Sequence, residues 1–143
     1  MDISEEMDVL LDSAEATARR YLKAEGNVPT FALVLQPDGE VMTIASEGYA
    51  ELAGAIGAIL AAVLPMIERR QAVATLICSS LPAAAIDEPG LCAVMFDMED
   101  HRHNRVYAVL PFRARDYGGR AFRPMEFSRG SSQVFSDRQR PPS

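Results

Sequence analysis

Two late segments of the chain alternate in step, and that pairing constrains the fold more than any other feature. In "CAVMFDM", residues 92–98, the side chains of Cys92, Val94, Phe96 and Met98 share one face of an extended strand. In "VYAVLPF", residues 106–112, Val106, Ala108, Leu110 and Phe112 do the same. Directly opposed residues of an antiparallel pair point to one side, so joining the two apolar sets places Met98 against Val106 and Phe96 against Ala108. The same register places Glu99 against Arg105 and Asp97 against Tyr107 on the other face, where a surface ion pair is worth about 0–1 kcal/mol. The connection is then three to five residues drawn from Asp100-His101-Arg102-His103-Asn104, so both histidines of the chain fall at the tip of a hairpin.

That placement decides how the run D-x-E-D-H-x-H is read. A metal centre needs three or four ligands converging at about 2.0–2.2 Å, held by a second layer of partners. Asp97 and Glu99 instead recede down the strand, and Cys78 and Cys92 lie in apolar runs that predict buried, reduced thiols. The run reads as a solvated turn, with no metal and no cofactor expected. Nucleophilic catalysis is disfavoured on the same ground: Ser79 and Ser80 lack a G-x-S-x-G elbow, and neither cysteine has electropositive surroundings. No P-loop and no G-x-G-x-x-G is present, so no catalytic residue is assigned.

Earlier in the chain, Met7, Leu10, Leu11, Ala14, Ala18, Tyr21 and Leu22 recur every three or four residues and predict an amphipathic helix. Asp2 or Ser4 can cap it, and Gly26 followed by Asn27 and Pro29 ends it. "TFALVLQPDGEVMTIAS" predicts a hairpin turning at Gln36-Pro37-Asp38-Gly39. A second helix is expected over roughly Tyr49 to Arg70. It is apolar nearly all round, which suggests burial on more than one side, and its own sheet is favoured over a second subunit as the cover. Pro65 should kink it or make its last turn irregular. "AVATLICSSL" reads as a buried strand and "AFRPMEF" as a final one.

The expected fold class is therefore α+β, in the order α-β-β-α-β-β-β: one mostly antiparallel sheet of five or six strands with two helices packed on one face. Residues 1–135 form a single domain, and the polar tail 136–143 is expected to be disordered.

The longest apolar stretch, Leu52 to Ile67, is 16 residues and carries two glycines and a proline, short of the roughly 20 a membrane span needs. The acidic N-terminus does not resemble a secretory signal, and the expected location is the cytoplasm. Charge is divided unevenly: residues 1–100 hold 17 acids and 5 bases, residues 101–143 hold 3 acids and 9 arginines. The net charge of −6 nevertheless opposes approach to a polyanion, so nucleic acid is disfavoured as a partner. The arginine-rich late strands offer a speculative ligand-binding set in Arg105, Tyr107, Arg113, Arg123 and Glu126, suited to a small anionic ligand.

"VPTFALVLQPDGEVMTI" and "VYAVLPFRARDYGGRAFRPMEFSRGSSQVF" resemble segments of a family of short bacterial α+β proteins without an assigned function. Asp38-Gly39 and Pro111-Phe112 carry that resemblance, while the alanine-rich second helix departs from it. The order of elements also resembles roadblock or profilin-like domains, which serve dimerisation and docking. The small-residue second helix, the outward arginines of the late strands and the lack of an assembled catalytic motif point to a non-enzymatic binding or protein-interaction domain, with an unidentified protein partner or a homodimer. The rival reading is a small hydrolase or ligand-processing enzyme whose carboxylates and arginines converge only in the fold.

Overall fold

A computed structural model describes residues 3–45, 52–81, 91–114, 120–122 and 124–131. The elements are α1 (Glu5–Glu25), β1 (Phe31–Leu35), β2 (Val41–Ala45), α2 (Leu52–Glu68), β3 (Ala74–Ser80), β4 (Leu91–Asp100), β5 (Asn104–Ala114), β6 (Arg120–Phe122) and β7 (Glu126–Ser131). The strands form one antiparallel sheet in the order β2-β1-β3-β4-β5-β6, and β7 lies beside β6 along the same flank of β5. The α+β class and the antiparallel sheet are as the sequence predicts.

Local chemistry accounts for the early elements. Ser4 caps α1, its Oγ accepting the Met7 N–H at 3.3 Å, and Glu5, Glu6 and Asp8 occupy the positive end of the helix dipole. Gly26, at φ 80°, ends the helix by donating its N–H to the Leu22 carbonyl. Met7, Leu10, Leu11, Ala14, Ala18 and Leu22 are the buried stripe. In the first hairpin Gly39 takes φ 90°, and Asp38 Oδ1 accepts the Glu40 N–H at 3.0 Å.

The helices lie on opposite faces, which corrects the expectation of both on one face. Phe31, Leu33 and Leu35 point with Leu76, Phe96, Met98 and Leu110 into the core under α1. Ala32 and Val34, the alternate residues of β1, pack instead against Ile59, Val63 and Ile67 of α2. The reason is written in β1: "FALVL" is apolar at every position, all five residues are buried, and such a strand needs cover on both sides.

The late hairpin adopts the expected register, with Met98 opposite Val106, Phe96 opposite Ala108, Asp97 opposite Tyr107 and Glu99 opposite Arg105. The final strand differs from expectation. It is two strands, β6 and β7, separated around Pro124, which has no N–H to give to a ladder. β7 extends to Ser131, past the end of the expected strand at Phe127, because the long β5 presents an open flank to pair with. The tail at 136–143 lies outside the described residues.

Residues 49–51 of the expected second helix also lie outside the described residues, and α2 is seen from Leu52. It stops soon after Pro65, in a turn where Arg70 takes φ 57° and the Gln71 N–H reaches back to the Met66 carbonyl at 2.7 Å. Among the described residues, no helix is long and apolar enough to cross a membrane.

Candidate functional site

The arginine-bearing face of the late hairpin holds a compact ionic cluster. Arg105 donates from Nε to Asp97 Oδ1 at 3.0 Å and from Nη2 to Asp97 Oδ2 at 2.8 Å, a two-pronged pair. The nearer Glu99 oxygen is 3.9 Å from Arg105 Nε. The expected pair between Glu99 and Arg105 is present, with the diagonal acid Asp97 as the closer partner, because the planar guanidinium meets both oxygens of Asp97 at once. What is corrected is the setting, which is not a surface one: the side chains of Glu99, Arg105 and Asp97 are only 3%, 11% and 19% exposed.

Tyr107 completes the cluster, its ring centroid 4.9 Å from the guanidinium carbon of Arg105. A Cβ added at Gly130 would sit 2.5 Å from Tyr107 Cε2, so only glycine at that position lets the ring lie along β7. The hydrogen bond to Asp97 raises the Arg105 pKa further and keeps the guanidinium a permanent cation. Burial first, and then the Asp97 carboxylate, raise the Tyr107 phenol above its usual range and keep it neutral.

Of the speculative ligand set, Arg105, Tyr107 and Arg113 share one face of β5, and Glu126, opposite Val109, lies beside them. From Arg105 to Arg113 the strand runs about 26 Å, so the set forms a line rather than a hollow. A cleft of about 310 Å³ borders one member of the set, Arg105, and is also lined by Ser4, Met7, His103 and Arg129. Arg123 lies outside the described residues.

The turn places its histidines at the tip, exposed, and the connection is His101-Arg102-His103. His103 takes φ 65°, and His101 Nε2 is 3.7 Å from Glu6 of α1. Sequence reasoning missed Asp100. Its Oδ1 accepts the N–H groups of Arg102 and Asn104 at 3.0 and 3.1 Å, its Oδ2 accepts from the Asn104 amide at 3.1 Å, and the residue is 1% exposed. The legible signal was an aspartate opening a turn that asparagine closes. With Asp97 held by Arg105 and Asp100 by the turn, two acids of the run D-x-E-D-H-x-H are committed to structure. Among the described residues, no group of three His, Cys, Asp or Glu could hold a metal ion.

Cys78 is buried as expected, and burial pushes its thiol far above the ordinary range. Cys92 is exposed, a correction, although Val94, Phe96 and Met98 on its face of β4 and Phe112 opposite it on β5 belong to the core under α1. Labelling with an aromatic disulfide reagent should therefore modify Cys92 alone in the native protein, with Cys78 reacting only after denaturant is added. Two fast-reacting thiols in the folded state would contradict this burial.

The other surface of note is α2. Among the described residues one stripe of the helix is buried, Ala55, Ile59, Val63 and Ile67, and they do not show the expected burial on several sides. Gly54, Gly57, Ala61, Ala62 and Pro65 are exposed, Ile56, Leu60 and Leu64 half-exposed, and no charged residue precedes Glu68. α1 of the same chain differs sharply, exposing Glu5, Asp8, Asp12, Arg20 and Lys23. Gly57 is informative: an added Cβ would meet nothing within 4 Å, so packing inside the chain gives no reason for a residue that costs a helix about 1 kcal/mol relative to alanine. Beside α2 lies β2, the edge strand, with Met42 37% exposed and no charge in "VMTIA". Comparison with protein-family models, curated proteins and solved structures gives no match.

Proposed function

We propose that this chain is a non-enzymatic protein-interaction domain of the bacterial cytoplasm that docks through the outward face of α2. The observation that carries the reading is a 17-residue helix whose exposed positions before Glu68 are, among the described residues, glycine, alanine and proline where the chain's other helix exposes charge. A solvated helix face is normally polar, and an uncharged one with small residues lets another backbone approach closely. A reducing compartment suits two free cysteines. The enzymatic rival is less well supported. It needs carboxylates and arginines converging in a hollow, yet both oxygens of Asp97 hold Arg105 and the remaining groups are strung along a strand.

The test is a photo-activatable residue at Ala61, with a second at Lys23 of α1 as reference, irradiated in the cells that make the protein. A polypeptide adduct of discrete mass at position 61, absent from position 23 and abolished by Ala58→Glu, is expected. Equal labelling at both positions, or none at 61, would remove the docking reading.

A further inference from the structure

We infer that the occupant of this surface is a second copy of the chain, joined by antiparallel self-pairing of β2 about a two-fold axis through Thr43; the inference rests on the docking reading above. The first support is a contrast between the two sheet edges. On the β5 side the chain breaks at Pro124 between β6 and β7, and the exposed Glu126 and Arg129 of β7 interrupt any apolar run, devices by which proteins blunt an edge. β2 is no longer than β7, but it has no charge, no proline and no second partner strand among the described residues.

The hydrogen-bond frame shows which groups this edge offers. The Val73 N–H donates to the Leu35 carbonyl at 2.8 Å and the Gln36 N–H to the Glu40 carbonyl at 2.8 Å. Odd-numbered residues of β1 therefore turn their backbone groups toward β3 and even-numbered ones toward β2. In the observed register Ala32 faces Ile44 and Val34 faces Met42, so Met42 and Ile44 bond inward. The N–H and C=O groups of Val41, Thr43 and Ala45 are left pointing out of the sheet. A two-fold axis at Thr43 sets Thr43 against its counterpart and Val41 against Ala45 of the other copy, which uses all three outward pairs.

The same operation brings the helices together. α2 packs over β1 and β2, against Ala32, Val34 and Ile44. Strands lie about 4.8 Å apart, so a helix seated over this pair has its axis roughly 5 Å from the two-fold, and the two α2 axes come to about 10 Å, a helix-packing distance. The glycine at position 57, which nothing in its own chain requires, then has a close neighbour. Each copy would bury on the order of 500 Å², at the lower limit for a specific pair. Charge is least opposed to self-association at this place: each copy carries −6, and β2 and the part of α2 before Glu68 hold no charged residue.

The experiment is sedimentation equilibrium of the full chain at micromolar concentration, with Thr43→Pro, Thr43→Lys and, as a control on α1, Ser13→Lys. The wild type and Ser13→Lys should show twice the 15.6 kDa chain mass. Thr43→Pro removes an outward N–H without touching the bonds to β1, and Thr43→Lys sets two like charges face to face; each should give the single-chain mass with an unchanged far-ultraviolet spectrum. If the proline variant does not fold, the lysine variant decides. A monomeric wild type overturns the proposal, and so does a dimer that a folded Thr43→Lys leaves intact. A monomer that still gives a discrete adduct at Ala61 defeats self-pairing while the docking reading stands; a monomer with no adduct defeats both.

Discussion

Replacing Phe96 by alanine should lower the free energy of unfolding by about 3–5 kcal/mol. The ring is fully buried in the middle of β4, and its opposed neighbours on both sides are small: Cys78 on β3 and Ala108 on β5. Its volume fills the space those two leave under α1. Neither can expand into the cavity, and relaxation would have to come from Leu10, Leu76 or Leu110, which are already packed in the same cluster. The loss is therefore expected in the upper half of the range, a large part of the roughly 5–15 kcal/mol available to a domain of this size. Urea unfolding of the two proteins measures it, provided the slope is unchanged. A loss below about 1 kcal/mol would mean that Phe96 is not at the centre of the core.

The second large effect is expected at Arg105. Removing the guanidinium in Arg105→Ala leaves the carboxylates of Asp97 and Glu99, 19% and 3% exposed, without their shared cation. Breaking a buried pair on one side costs about 3–5 kcal/mol; the part-exposure of Asp97 places this case near 3. A double-mutant cycle with Asp97→Ala isolates the pair, and a coupling of roughly 1–3 kcal/mol is expected because the contact is two-pronged and mostly screened from water. Arg105→Lys should recover only part of it, since an ammonium cannot span both oxygens. Coupling within a few tenths of a kcal/mol of zero, the value for a solvated surface pair, would reject the buried-cluster description.

Both predictions come from one hairpin, and they show how legible the sequence was. Which residues of β4 and β5 oppose each other follows from alternation, and every opposed pair read from the sequence is found in the register. That depth of burial on the polar face was not legible in the same way, because Asp97, Glu99 and Arg105 would read identically on a solvated sheet. The closing contact on Tyr107 comes from Gly130, which lies three residues beyond the expected final strand "AFRPMEF". Cys92 shows the converse: its neighbours are apolar, and Phe112 opposite it is in the core, yet Cys92 itself is exposed.

The helices divide in the same manner. Spacing and caps define α1, and its buried stripe is the one the periodicity picks out. For α2 the absence of charge marked the helix as needing cover without saying where, since a helix apolar all round has no stripe to orient it. "FALVL" held the missing clue, a strand apolar on both faces and therefore covered twice.

By itself the sequence determined the α+β class, the element types, the turn at Asp38-Gly39 and the pairing of the late hairpin, because each follows from periodicity or turn chemistry within a few residues. The tertiary structure alone decided which face each helix covers, which acid holds Arg105 and which sheet edge stays open. Those outcomes depend on the meeting of segments far apart in the chain, where distance and geometry choose among partners that local pattern leaves equivalent.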